Sequence, residues 1–217
     1  WKKAERWDDR KLYTLERDAF GFCLTGDMFD SYRVEARNFS IPFKDVRDSR
    51  EQQTIAGIVQ SVRTIAGKRG TFAVVALSDG QTTMDVLVFA KAYENYKNML
   101  KPDEMLIFTG KGRKDERSGG MSFVCDKAIT IEEMRVSRGA TLLIEVSDGV
   151  ALESLSQVLR KAQSSDIGTV SCEVSLLSQS KRAELTLNHR YVPSDDLINQ
   201  MRGVEGVVSV KYSYEGM

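Results

Sequence analysis

Apolar and polar residues alternate with a period of two through most of the stretch from Thr54 to Ile131, and that period predicts five strands. Thr54 to Ile65 is the first, long for a strand, with Gly57 inside it as an expected bend or bulge. Thr71 to Ser78 is the second, with Phe72, Val74 and Ala76 on one face and Ala73, Val75 and Leu77 on the other. Asp79-Gly80 marks a hairpin turn, and Gln81 to Phe89 follows with Met84, Val86 and Val88 alternating against Thr83 and Asp85. From Ala90 to Leu100 the period lengthens to that of a helix, with Tyr93, Tyr96 and Leu100 on one side and Pro102 ending it. Met105 to Lys111 and Met121 to Ile131 complete the set. Three strands, a helix and two strands is the order of an oligonucleotide-binding (OB) barrel, whose bent first strand pairs with both halves.

The flanks read differently. Residues 1–49 predict a helical lead-in and connector, with Leu12, Leu15, Ala19 and Phe20 at helical spacing, a second helix over 29–36, and Pro42 in a linking segment. This region holds too little apolar material to fold well alone. Residues 136–217 predict a small α+β unit after an all-β barrel at 50–135, so the chain as a whole reads as multi-domain. Its strands are expected at Leu142–Val146, around Val170 to Leu176, around Ala183 to Leu187, and from Val208 to Tyr214. Its helices are expected at Val150–Gln163 and after Ser194, which is placed to cap a helix ended by Gly203. The order β-α-β-β-α-β is that of the ferredoxin-like split motif.

Composition narrows the classes without choosing one. Lys plus Arg and Asp plus Glu both total 31, so any contact with a polyanion must come from local placement. Cys23, Cys125 and Cys172 are far apart and odd in number, which suits buried thiols in a reducing, cytoplasmic setting. No apolar run approaches the ~18 residues of a membrane span. The chain opens Trp1-Lys2-Lys3 with no initiator Met, the expected look of a piece of a longer polypeptide.

Two loops gather cations beside glycine, where backbone and charge can both approach phosphate. Lys68 and Arg69 join the first two strands, while Arg113, Lys114 and Arg117 join the last two and share their loop with Asp115 and Glu116. Arg63 is expected to line the same groove. Phe72 and Phe123, taken to lie on the outside of the barrel, are the expected base-stacking residues, whereas Phe89 and Phe108 are assigned to the core. A solvated hairpin tip and a plain aromatic core remain the alternatives at these positions. His189 has no partner at ligand spacing, and Asp195-Asp196 reads as first-turn acids complementing a helix dipole. There is no phosphate loop and no nucleophile elbow, so no catalytic residue and no cofactor is assigned.

The motifs have a family resemblance. Glu16-Arg17-Asp18-Ala19-Phe20-Gly21-Phe22-Cys23-Leu24-Thr25-Gly26, Lys68-Arg69-Gly70, Met84-Asp85-Val86-Leu87-Val88-Phe89, Ser118-Gly119-Gly120, and Pro193-Ser194-Asp195 with Leu197, Asn199 and Arg202-Gly203 stand in this order along the chain. Together they resemble the C-terminal region of the bacterial replicative DNA polymerase III alpha subunit. Asp27-Met28 departs from that family's His-Pro. The resemblance implies a noncatalytic part of a DNA-directed DNA polymerase whose Mg²⁺-binding machinery lies upstream. It further implies single-stranded template DNA as the barrel's partner, the clamp-loader tau subunit as the tail's, and the sliding clamp through upstream sequence. A soluble, cytoplasmic and nucleoid-associated setting without membrane follows. At the chain end, Val208 and Val210 are expected in the core, and Tyr212, Tyr214 and Met217 at a partner interface. A stand-alone single-strand-binding protein and a small-ligand-sensing regulatory module are the alternatives from other classes.

Overall fold

The computed structural model of the chain describes residues 9–20, 24–67, 70–114, 119–147, 151–164, 169–178 and 181–214. The chain divides into two compact units, residues 1–131 and 132–217.

The first unit opens with helices α1 (Asp9–Phe20) and α2 (Asp30–Ala36) and a 3-10 turn at Phe43–Asp45. Five strands follow: β1 (Gln53–Gly67), β2 (Gly70–Ser78), β3 (Thr83–Val88), β4 (Met105–Lys114) and β5 (Met121–Thr130), with α3 (Ala90–Tyr96) between β3 and β4. They close into a barrel in the order β1-β2-β3-β5-β4, with β3 and β5 parallel. This is an OB-type barrel. β1 pairs with β4 through Gln53–Ile58 and with β2 from Ile58 onward, and its bend is a register shift between Val59 and Ser61 rather than at Gly57.

The core is filled by the inward parity of each strand: Ile55 and Val59, then Ala73, Val75 and Leu77, then Met84, Val86 and Val88, then Phe108, and Phe123 with Cys125. The lead-in completes it. Phe43 and Val46 belong to the same core, the Ile41 N–H donates to the Thr54 carbonyl (2.9 Å), and the Phe43 N–H donates to Asp79 Oδ2 (3.3 Å). Gly112 on β4 permits this approach, because a Cβ there would lie 2.6 Å from Val46 Cγ1 and still closer to the Arg47 carbonyl oxygen. Asp79 also fixes the β2–β3 turn. Its Oδ1 accepts from the N–H groups of Gln81 (3.0 Å) and Thr82 (2.8 Å), while Gly80 takes φ +79°.

The second unit begins with a helix absent from the sequence expectation, α4 (Ile131–Ser137), which starts at the boundary between the units. Then come β6 (Thr141–Val146), α5 (Ala151–Ala162), β7 (Val170–Ser178), β8 (Lys181–Tyr191), α6 (Asp195–Arg202) and β9 (Val207–Ser213). Along the chain the order is β-α-β-β-α-β, but the sheet order is β8-β7-β6-β9. β6 and β7 are direct parallel neighbours, so the βαβ unit is not split and the ferredoxin-like expectation is corrected. One sheet face is buried, through Leu142, Ile144 and Val146 on β6, Cys172 and Val174 on β7, and Val210 and Tyr212 on β9. Leu155 and Leu159 of α5 and Leu197 and Met201 of α6 are buried in the same unit. Ser194 caps α6, its side chain accepting from the Leu197 N–H (3.2 Å). Val208 is 60% exposed, against the expectation of a core position. The register shift that pairs Glu145 with Ser209 and Val146 with Val207 skips Val208 and turns it outward.

Candidate nucleic-acid interface

Strand parity sets the outer surface of the barrel. Pairing puts Ile65 beside Phe72, Arg63 beside Val74, Val74 beside Leu87, and Leu87 beside Val124. Val124 in turn pairs with Lys111, and Ser122 with Arg113. The face spanning β1, β2, β3, β5 and β4 therefore carries an apolar band flanked by Arg63 on one side and Lys111 and Arg113 on the other. Phe72 and Phe89 meet at one end of it, ring centroids 5.9 Å apart and planes tilted by 41°. Phe89 is 50% exposed. Phe72 is half-buried, and the exposed part of such a pair offers a π-surface to a flat ligand. Arg63 lies 3.8 Å from Asp85, with both side chains exposed, a pair weak enough for a phosphate to displace.

The sequence-predicted residues separate clearly. Arg63, Phe72 and Arg113 share the outer face. Lys114 is exposed but has the opposite parity, paired with Met121, whose side chain packs on the core. Lys68, Arg69, Arg117 and Met217 lie outside the described residues, as does Cys23. Phe123 is corrected: it is 0% exposed and stands among the core residues. In a closed barrel β5 is no outer edge, since it is flanked by both β3 and β4, and Phe123 shares the inward parity of Val86. Phe89 is corrected in the other direction, from core to surface. Phe108 is in the core as expected. Phe89 and Lys111 are the residues that sequence reasoning missed. Met84, Val86 and Val88 pointing inward already turned Leu87 and Phe89 outward.

Tyr212 and Tyr214 are likewise corrected as interface residues, because both are buried. The cause for Tyr212 is Arg135. That side chain is 1% exposed, donates from Nη1 to the Pro193 carbonyl (2.9 Å) and Asp195 Oδ1 (2.8 Å), and lies 4.4 Å over the Tyr212 ring. A buried guanidinium needs such cover, and the tyrosine ring supplies one side of it. Burial pushes the Cys125 and Cys172 thiols up to about 12, so neither is a nucleophile at neutral pH. Among the described residues no group of three His, Cys, Asp or Glu is placed to hold a metal ion. No described helix is long and apolar enough to cross a membrane.

The barrel has known counterparts. Residues 53–136 match the tRNA anti-codon family model, described as an OB-fold nucleic acid binding domain. The barrel is an OB-fold domain. Over 99% of its length the chain is 26% identical to the DNA polymerase III subunit alpha of Escherichia coli, and likewise 27% identical to that of Vibrio cholerae. It spans 19% of the length of each of these relatives. A solved structure of RecG bound to a three-way DNA junction is similar over 37% of this chain and 11% of that one, at 20% identity and a TM-score of 0.31. The barrel assignment rests on the strand pairing and the family model.

Proposed function

We propose that this chain is a noncatalytic segment of a DNA polymerase III alpha-type polypeptide, and that its OB-fold domain holds single-stranded template DNA during replication. The observation that carries the reading is the Phe72–Phe89 ring pair on the barrel's outer face, Phe72 half-buried and Phe89 exposed, between Arg63 and the Lys111–Arg113 side. Bases stack on the rings while the cations meet phosphates, an arrangement that tolerates any sequence. The similarity to polymerase alpha subunits over nearly the whole chain supports the replicative setting, with template-directed nucleotidyl transfer belonging to the parent protein in the cytoplasm.

The test is titration of fluorescent oligo(dT) with the wild-type chain and with the Phe72→Ala/Phe89→Ala variant. Loss of stacking for one or two bases should weaken binding by about tenfold or more, at ~1–3 kcal/mol per base. Three cations on the face should give a log–log salt slope near about −2, at roughly −0.7 per phosphate. Unchanged affinity in the double variant would remove the outer face as the DNA site.

The second unit is proposed to bind the clamp loader's tau subunit. With Tyr212 and Tyr214 buried, the supporting feature is β8, an edge strand whose Leu185 is 52% exposed. Replacing Leu185 by Lys should abolish capture of tau while leaving oligo(dT) binding unchanged.

A further inference from the structure

The first unit holds a cavity of about 140 Å³ beside the β2–β3 turn. Ala36, Ile41 and Ala56 contribute apolar wall, and three cations border it: Arg33, Arg37 and Lys44. Arg33 is engaged elsewhere, donating from Nε (3.1 Å) and Nη2 (2.6 Å) to Asp30 Oδ1 and lying 5.5 Å over the Phe29 ring. The carboxylate on the wall, Asp79, is also engaged. Its Oδ1 takes the Gln81 and Thr82 N–H groups and its Oδ2 takes the Phe43 N–H. The Arg37 and Lys44 side chains, by contrast, make no hydrogen bond or ion pair with another described residue. One comes from the C-cap of α2 and the other from the 3-10 turn, so separate backbone elements bring both charges to the same cavity.

An oxyanion held in a small, partly apolar cavity that both cations border can draw charge-assisted hydrogen bonds from each of them. A guanidinium fork beside an ammonium point charge suits the tetrahedral oxygens of phosphate. We infer that this cavity binds a phosphate group, at a site separate from the aromatic face. Asp79 and Gln81 lie at the opposite end of β2 and β3 from Phe72 and Phe89, roughly 20 Å away at about 3.3 Å per residue. The inference therefore stands whether or not DNA crosses the outer face. The phosphate can belong to a free nucleotide or to a strand end.

The test follows the backbone amide resonances of Ala36, Arg37 and Lys44 in the isotope-labelled 217-residue chain at low salt. Inorganic phosphate is titrated first, then oligo(dT) with and without a 5′-phosphate. Saturable shifts at these amides with inorganic phosphate support a free phosphate ligand, and shifts confined to the 5′-phosphorylated oligonucleotide support a strand end. The Arg37→Gln/Lys44→Gln variant, altered only at exposed side chains, should bind about tenfold more weakly or worse. The Phe72→Ala/Phe89→Ala variant should respond to inorganic phosphate as the wild type does, which separates this site from the outer face. No shift at these amides with any of the three ligands overturns the inference, as do shifts that persist undiminished in the Arg37→Gln/Lys44→Gln variant.

Discussion

Aromatic side chains meet opposite fates in the two units. In the barrel, Phe72 and Phe89 stay at the surface because the inward positions of β2 and β3 are already filled by Ala73, Val75, Leu77, Met84, Val86 and Val88. In the second unit Tyr212, close to the chain end, is drawn inside because Arg135 is buried and its charge needs cover. Nearness to a terminus predicted the reverse. What decides exposure is strand parity and the demands of a neighbouring charge, and both are pairwise facts of the folded chain.

The sharpest way to break this comparison is to truncate aromatics of opposite parity. Phe123→Ala should destabilise the first unit by about 3–5 kcal/mol through the cavity it leaves, whereas Phe89→Ala should stay within about 1 kcal/mol. Urea denaturation of each variant reads this directly, and equal losses would mean that the surface pair is structural. Next in size is Arg135→Ala. Removing the guanidinium uncovers Tyr212 and takes away its hydrogen bonds to Asp195 and the Pro193 carbonyl, which should cost the second unit about 3 kcal/mol. Arg135→Lys should recover little of it, since an ammonium cannot stack flat on the ring while reaching two acceptors. A loss below about 1 kcal/mol would show that Tyr212 is held inside by something other than the charge.

The smallest effect concerns acid. Burial pushes the Glu16 carboxyl up, but hydrogen bonds from the Thr25 N–H and hydroxyl and the Leu24 N–H outweigh it and hold the group below its ordinary value of 4.5. Its support is present above the unfolded value and is lost as pH falls through the lower folded one. Stability measured from pH 6 downward should therefore decline less steeply in Glu16→Gln than in the wild type. Identical acid limbs would show that the loop at Leu24–Thr25 does not depend on that carboxylate.

Most of the barrel was legible because each strand carries its own alternation and each turn its own residues, such as Asp79-Gly80. Phe89 was misread where the period changes from two to that of a helix, immediately before Ala90. Phe123 was misread because barrel closure, which gives β5 two neighbours, is written in no single segment. The second unit shows the same limit. One chain order, β-α-β-β-α-β, serves both a split and an unsplit sheet, and only long-range pairing separates them. The helix α4 was hidden by Arg135, a charged residue at a buried position, which breaks the apolar period that Ile131 and Met134 begin. The cavity at Arg37 and Lys44 left no local trace, since its walls come from α2, the 3-10 turn, β1 and the β2–β3 turn.

Gly112 has a consequence for where the barrel can be cut. By leaving room for Val46 and Arg47, it makes the segment ahead of β1 part of the barrel's interior. A gene fragment beginning at residue 50 would keep all five strands and still lose Phe43 and Val46. Each buried apolar side chain contributes about 1.5–3 kcal/mol, a large share of the ~5–15 kcal/mol that holds a typical domain folded. The smallest autonomous version of this domain must therefore begin ahead of Ile41, some distance upstream of its first strand.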